Sequence, residues 1–151
     1  MTTSAGRCRP VTVQVKLQRS ERGAPVVRNG KRYGFGPEVF MTETQKTRTG
    51  TDGEENQTRP YRFGEFDILA VSMQPSTGKW NRYMYTLGRW LLPGKKAGEM
   101  ATLQPLTMQP GEFWTDDFRV AARWFRALDD GKRMKITATA TAKLAKRPTK
   151  A

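Results

Sequence analysis

Apolar and polar residues alternate along the chain from residue 11 to residue 17. Side chains of a β-strand point to opposite faces in turn, so a period of two indicates a strand with one buried face. The apolar face of this predicted strand consists of Val11, Val13, Val15 and Leu17. The polar face consists of Thr12, Gln14 and Lys16. The pattern predicts a half-buried strand directly after a loose polar lead-in over residues 1–10.

A second apolar pattern is nearly continuous between residues 66 and 73, which read FDILAVSM. Such a run is typical of a strand buried on both faces, and we expect it at the centre of a sheet. The turn-forming residues 75–78 separate it from the aromatic, strand-like residues 80–92, which predicts an antiparallel hairpin. The aromatic side chains of Phe63, Phe66 and Trp80 are expected to pack in the core or at the sheet edge.

Three further segments complete the predicted order of elements. Residues 38–48 have strand-like content, which predicts another strand. Residues 19–37 are rich in glycine, proline and basic residues and predict an exposed, positively charged turn or hairpin. Residues 49–60 are polar and predict a flexible loop.

One helix is predicted from Thr115 to Leu128. Thr115 is a suitable N-cap, and the acidic residues 116 and 117 suit the positive end of the helix dipole. Apolar residues recur at helical spacing up to Leu128, and Gly131 ends the run. The residues after it contain seven lysines and arginines and no acid, which predicts a basic flexible tail over residues 132–151.

The charge balance indicates a polyanionic partner. Lysine and arginine number 27 against 14 aspartates and glutamates, a formal charge of +13. Nucleic-acid phosphates are the expected partner of such a chain, although excess charge can also serve solubility alone. The predicted phosphate contacts flank the polar loop, with one aromatic residue among them: Lys46, Arg48, Arg59, Tyr61 and Arg62.

The composition also excludes several kinds of site. The chain has no histidine and a single cysteine, Cys8, which excludes a thiolate zinc cluster, an internal disulfide and histidine-based nucleophilic catalysis. No apolar run approaches the roughly 20 residues that span a bilayer. We therefore expect a soluble, cytoplasmic protein without a membrane partner.

Gln14 and Lys16 are the candidate catalytic pair. Positions two apart on a strand project to the same side, so an amide and an ammonium group can meet one substrate. The alternative is a strand with one solvated face. Downstream lie the predicted strand ending TQKTR, the polar loop and then the segment YRFGEFDILAV.

This order of motifs, over about residues 11–90, resembles the PD-(D/E)XK superfamily of restriction endonuclease-like nucleases. In that family an acid-x-lysine pair lies on a core strand and a later buried strand completes the sheet. Some members carry glutamine in place of the acid, as Gln14 would here. The resemblance implies magnesium-dependent phosphodiester cleavage of DNA, with Lys16 orienting water or offsetting charge.

The chain departs from the family at the metal ligands. The family's other ligand is an aspartate upstream of the acid-x-lysine strand, and no acidic residue precedes Glu21 here. Three explanations are open: the nuclease domain lacks its N-terminal part, another carboxylate has taken over, or the site is inactive. The candidate replacement ligands are Glu43, Glu65 and Asp67.

The sequence therefore predicts an α/β fold, an incomplete restriction endonuclease-like mixed sheet with a flanking helix, over residues 11–131. The predicted function is DNA binding with metal-dependent endonuclease activity, either as part of a longer parent chain or as an inactive remnant. The alternative is a non-catalytic basic nucleic-acid-binding protein, and an assembly module of a mobile element is a third possibility.

Overall fold

The structure, a computed structural model, describes residues 9–47, 58–127 and 131–136, which form a mixed α/β fold. The strands are β1 Val13–Leu17, β2 Ser20–Glu21, β3 Ala24–Pro25, β4 Val27–Asn29, β5 Glu38–Glu43, β6 Gln45–Thr47, β7 Thr58–Pro60, β8 Ile68–Ser72, β9 Tyr83–Leu87 and β10 Leu103–Leu106. The α-helices are α1 Gln74–Thr77 and α2 Phe118–Arg126. Within these ranges, no helix is long and apolar enough to cross a membrane. Arg48 and Leu128 lie outside the described residues.

A mixed three-stranded sheet contains the strand that the sequence predicted to be most buried. β8 lies between β1, which runs parallel to it, and β9, which runs antiparallel. All five residues of β8 are buried, and α2 covers one face through Ala121, which packs with Ile68, Leu87 and Trp90. The predicted mixed sheet, its central strand, its hairpin partner and its flanking helix are confirmed. The restriction endonuclease-like topology stays a prediction.

A second, antiparallel sheet has the order β10-β5-β4. A bridge between Gln18 and Thr42 connects its middle strand to the end of β1. The largest core cluster includes Leu69 and Val71 of β8 together with Leu106 of β10. Residues 38–47 are extended as predicted, but they form two strands, β5 and β6, that belong to different sheets. The predicted positive hairpin contains β2 and β3.

β1 turns its apolar side chains outward. Val15 is 55% exposed and Leu17 is 46% exposed, whereas Gln18, which follows the strand, is 1% exposed. Lys16 is half-buried because it lies beside Val71 on the core side of the sheet. The predicted alternation is confirmed, but the more buried face is the polar one. A lysine tolerates this position because its aliphatic stem can pack while its ammonium group reaches a polar partner.

α2 begins at Phe118, after the predicted N-cap Thr115. The N-cap is Asp117, whose carboxylate accepts a hydrogen bond from the Arg119 main-chain N–H at 2.9 Å. Thr115 instead exchanges two main-chain hydrogen bonds with Tyr85 of β9, at 2.7 and 3.0 Å. The helix therefore starts later than predicted, because its expected cap is held in an extended bridge.

The three aromatic residues that were expected to pack have different environments. Phe66 is 4% exposed in the main core, and Phe63 packs against the same cluster. Trp80 is 67% exposed, so the prediction that it packs is wrong. The β8–β9 hairpin ends at the pair Ser72–Tyr83, which leaves Trp80 in the connecting turn beyond the last strand pair.

The segment that follows α2 returns to the core. Met134 is 1% exposed, and its N–H donates to the Trp90 carbonyl oxygen at 2.7 Å. The Lys132 ammonium group donates to the Glu112 carbonyl oxygen at 2.5 Å. The same ammonium lies close to three aromatic ring centres: Trp90 at 4.5 Å, Phe113 at 5.0 Å and Trp124 at 5.6 Å. We call this arrangement the Lys132 cage. The predicted tail thus begins within the packed structure, and residues 137–151 lie outside the described ranges.

The Lys132 cage should contribute to stability. Lys132→Met keeps an unbranched side chain of similar length but removes the charge, so we expect the free energy of unfolding to fall by about 1–2 kcal/mol. Lys135→Met is the matched control, because Lys135 is exposed, and its effect should stay below about 0.5 kcal/mol. Denaturant unfolding of both variants measures the difference, and equal effects would show that the cage contributes nothing.

Candidate nucleic-acid interface

Gln14 and Lys16, the predicted catalytic pair, share the half-buried face of β1. The Lys16 ammonium donates to the Gln45 carbonyl oxygen at 2.8 Å and lies 5.1 Å from the Tyr61 ring centre. The Gln14 amide donates to the Val15 carbonyl oxygen at 3.4 Å. The two side chains share a face as their spacing predicts, but they have different partners. Lys16 is held between a main-chain oxygen and an aromatic ring.

Lys46 approaches the same Tyr61 ring from β6. Its ammonium lies 5.6 Å from the ring centre and 2.5 Å from the Glu65 carboxylate. The hydrogen bond from Lys46, aided by the main-chain N–H of Arg62, holds the pKa of Glu65 below its ordinary value. Tyr61 is 9% exposed, and its ring is edge-on to Phe66 at 5.2 Å. The ring therefore offers little surface on which a base could stack.

The structure describes the other three predicted phosphate contacts to different extents. Arg62 is exposed, directly after Tyr61. Arg59 pairs with Lys46 across the β6–β7 hairpin through its main chain, and only its main chain is described. Arg48 lies outside the described ranges. The structure thus brings together Lys16, Lys46 and Tyr61 of the predicted site residues.

The three carboxylates considered as magnesium ligands are all engaged by cations. The ion pairs are Glu43 with Arg19, Glu65 with Lys46, and Asp67 with Arg9. Among the described residues, no three acidic, histidine or cysteine side chains lie close enough to hold a metal ion together. Magnesium prefers charged oxygen ligands, so it would have to displace a lysine or arginine at each of these carboxylates.

Asp67 connects the start of β8 to the segment that precedes β1. Its two carboxylate oxygens each accept a hydrogen bond from Arg9 at 2.8 Å. The Thr12 main-chain N–H donates to the same carboxylate at 2.9 Å, and the Thr12 hydroxyl donates at 3.1 Å. The forked pair with Arg9, with the help of Thr12, holds the pKa of Asp67 below its ordinary value although the side chain is buried.

A cavity of about 660 Å³ lies beside the second sheet, where the sequence predicted no site. It is lined by residues of β4, the following 3₁₀ turn Lys31–Tyr33, β5, β10 and the segment 135–136. Its floor is apolar and includes Met41, Leu92 and Leu103. Its lining holds three basic side chains, Arg28, Arg32 and Lys135, and no acidic one. We call it the basic cavity.

The cations of the basic cavity are not neutralised by any carboxylate within the described part of the chain. The Arg32 guanidinium lies 5.2 Å from the Tyr33 ring centre, and its Nε is buried, so an anion can meet this side chain only at its terminal nitrogens. Arg28 donates only to the Val27 carbonyl oxygen, at 3.1 Å. Unlike Lys46, these side chains keep donors that are available to an anion.

A tight turn positions the arginine and tyrosine of the cavity. The Gly30 carbonyl oxygen accepts hydrogen bonds from the main-chain N–H groups of Tyr33 and Phe35, both at 3.0 Å. A Cβ atom on Gly30 would lie 2.6 Å from the Gly36 carbonyl oxygen, so only glycine fits there. The turn therefore fixes the main chain from which the Arg32 and Tyr33 side chains project.

Sequence reasoning did not single out the residues of this cavity. The basic, glycine-rich composition of residues 19–37 gave a signal of positive surface, and the basic residues after 131 gave another. Neither signal indicates that Arg28 and Lys135 line one cavity, because their proximity is a long-range contact.

The ion pair of Asp67 predicts a pH dependence. The folded-state pKa of Asp67 lies below the unfolded one, so its stabilisation is fully present above the unfolded value and is lost as the pH falls through the folded value. We expect Asp67→Asn to lower the free energy of unfolding by about 1–3 kcal/mol at neutral pH. The difference from wild type should shrink as the pH falls below about 4.

Asp116→Asn is the matched control for this substitution, because Asp116 is exposed and none of its side-chain contacts involves a described cation. Urea unfolding of the three proteins over a pH series gives the comparison. A pH-independent effect of Asp67→Asn would contradict the assignment of the stabilisation to the charged carboxylate.

The chain was compared with known protein families, curated proteins and solved structures. No protein-family model, no curated protein and no solved structure matches this chain. The resemblance to the PD-(D/E)XK superfamily therefore stays a prediction from the motifs around Gln14, Lys16 and residues 61–71.

Proposed function

We propose that the protein binds nucleic acid through the phosphate backbone and does not cleave it. The observation that carries the proposal is the basic cavity, in which Arg28, Arg32 and Lys135 converge without an acidic residue in the lining. Cations that lack a carboxylate partner keep a positive potential that attracts a polyanion. The planar guanidinium groups of two arginines are also suited to forked hydrogen bonds with phosphate oxygens.

The distribution of charge supports the same conclusion. The formal charge of +13 favours association with any polyanion. At the cluster around Tyr61, however, Lys16 bonds a main-chain oxygen and Lys46 pairs with Glu65. These two cations have partners within the protein, so the phosphate contacts are assigned to the basic cavity.

A metal-dependent nuclease is the second candidate. The pairing of β1 with the buried β8, which sets Lys16 beside Val71, favours it, since the family resemblance implies a lysine on a core strand. The ion pairs of Glu43, Glu65 and Asp67 weigh against it, because magnesium-dependent cleavage needs carboxylate oxygens free for the metal. Non-catalytic binding requires no such ligands.

Binding should depend on salt and on the three cations of the basic cavity. We expect the purified protein to bind a labelled DNA oligonucleotide in fluorescence anisotropy, with an affinity that falls steeply as salt rises. The triple variant R28Q/R32Q/K135Q removes up to three phosphate contacts. The plot of log affinity against log salt should become less steep, with the magnitude of its slope reduced by about 2 to 3.

The matched control is R119Q/R123Q/R126Q, which removes three exposed arginines from α2, outside the lining of the basic cavity. It should leave the salt slope close to that of the wild type. Equal loss in both variants would show that binding follows net charge and not this cavity. Absence of any binding at low salt would overturn the proposed function.

Cleavage should be absent. Supercoiled plasmid incubated with the protein and magnesium or manganese should remain uncut, because the candidate ligands are engaged by lysine and arginine. The same reaction with Lys16→Ala is the control. Metal-dependent nicking by the wild type that disappears in Lys16→Ala would establish the nuclease and contradict the non-catalytic proposal.

A further inference from the structure

The basic cavity has two neighbouring cavities that share some of its lining residues. A cavity of about 640 Å³ shares Tyr33 and Lys135 with it and is also lined by Arg133. A cavity of about 570 Å³ on the other side shares Pro93 and Leu103. Because each neighbour shares lining residues with the basic cavity, the three cavities lie next to one another. We call the three together the basic groove.

Basic residues accompany the groove along its length. Arg133 lines one end, and Lys95 and Lys96 line the other, with the cations of the basic cavity between them. Acidic residues line only the outer cavities: Glu38 and Glu112 at one end and Glu99 at the other. The positive charge is therefore most continuous at the centre.

The floor of the groove is apolar and partly open to solvent. Leu103 is 42% exposed and Ile136 is 41% exposed, and both line the basic cavity. Tyr33 lines both the basic cavity and its neighbour. A surface with this floor and a cationic rim suits a ligand that is apolar on one side and anionic on the other.

From these features we infer that the basic groove binds single-stranded nucleic acid, with bases against the apolar floor and phosphates at the cationic rim. This inference rests on the proposed function and narrows its ligand. A duplex stacks its bases inside and presents its backbone, so it would leave the floor unused. A single strand exposes base faces that can be buried on aromatic and apolar side chains while its phosphates meet lysine and arginine.

The test compares one DNA sequence as a single strand and as a duplex, with the full chain, in the same anisotropy assay. We expect the single strand to bind at least about tenfold more tightly. Equal or tighter binding of the duplex would overturn the inference and leave the proposed function standing. Failure to bind either form would overturn the proposed function itself.

A variant of the apolar floor tests how much base burial contributes to binding, separately from charge. L103A/I136A leaves the charge unchanged and truncates two half-exposed side chains, so it should weaken single-strand binding about five- to tenfold. It should leave duplex binding unchanged. V15A/L17A is the matched control, because Val15 and Leu17 are at least as exposed as Leu103 and Ile136 but lie on β1, outside the groove. An unchanged single-strand affinity in L103A/I136A would overturn the inference.

A second measurement does not depend on the stability of any variant. Ultraviolet cross-linking of the wild-type protein to a bromouridine-containing strand should attach the strand to peptides around Tyr33 or residues 131–136. Cross-links confined to the exposed Trp80 turn would place the bases elsewhere and overturn the inference.

Discussion

The burial of β8 on both faces is the constraint on which the rest of the structure depends. Leu69 and Val71 face the main core, while Ile68 faces the smaller core under α2. A strand buried on both faces needs a cover on each side and a hydrogen-bonding neighbour at each edge. α2, the second sheet, β1 and β9 supply these, and the pair of Asp67 with Arg9 fixes where the strand begins.

Elements that depend on local pattern could be predicted from the sequence, and elements that depend on distant partners could not. β8, its hairpin with β9 and α2 follow from an apolar run, a turn and a helical repeat, all visible within about 20 residues. The alternation of β1 predicts that its apolar face is the covered one, but the polar face is more buried. On that face Lys16 contacts Gln45 and Tyr61, which lie far from it in sequence, so the local pattern could not predict its burial.

The difference between local pattern and distant contacts also explains which parts of the candidate site could be predicted. Lys46 and Tyr61 meet as their positions flanking one polar loop suggested, but their contacts are mostly with each other, with Lys16 and with Glu65. The basic cavity is lined by residues from four separate parts of the chain, around positions 28–33, 41, 92–103 and 135–136. No periodicity connects these segments, so their charges could be predicted only as surface charge without a location.

The Lys132 cage connects the stability of the fold with the candidate site. By fixing Lys132 and burying Met134, the aromatic core determines where the next two residues emerge. Those residues are Lys135 and Ile136, one a cation and the other part of the floor of the basic cavity. Because a cation held among three aromatic faces gains more than one exposed to solvent, this anchor positions the residues that follow it. The groove is therefore lined by early residues of the segment that the composition predicted to be a flexible tail, namely Arg133, Lys135 and Ile136.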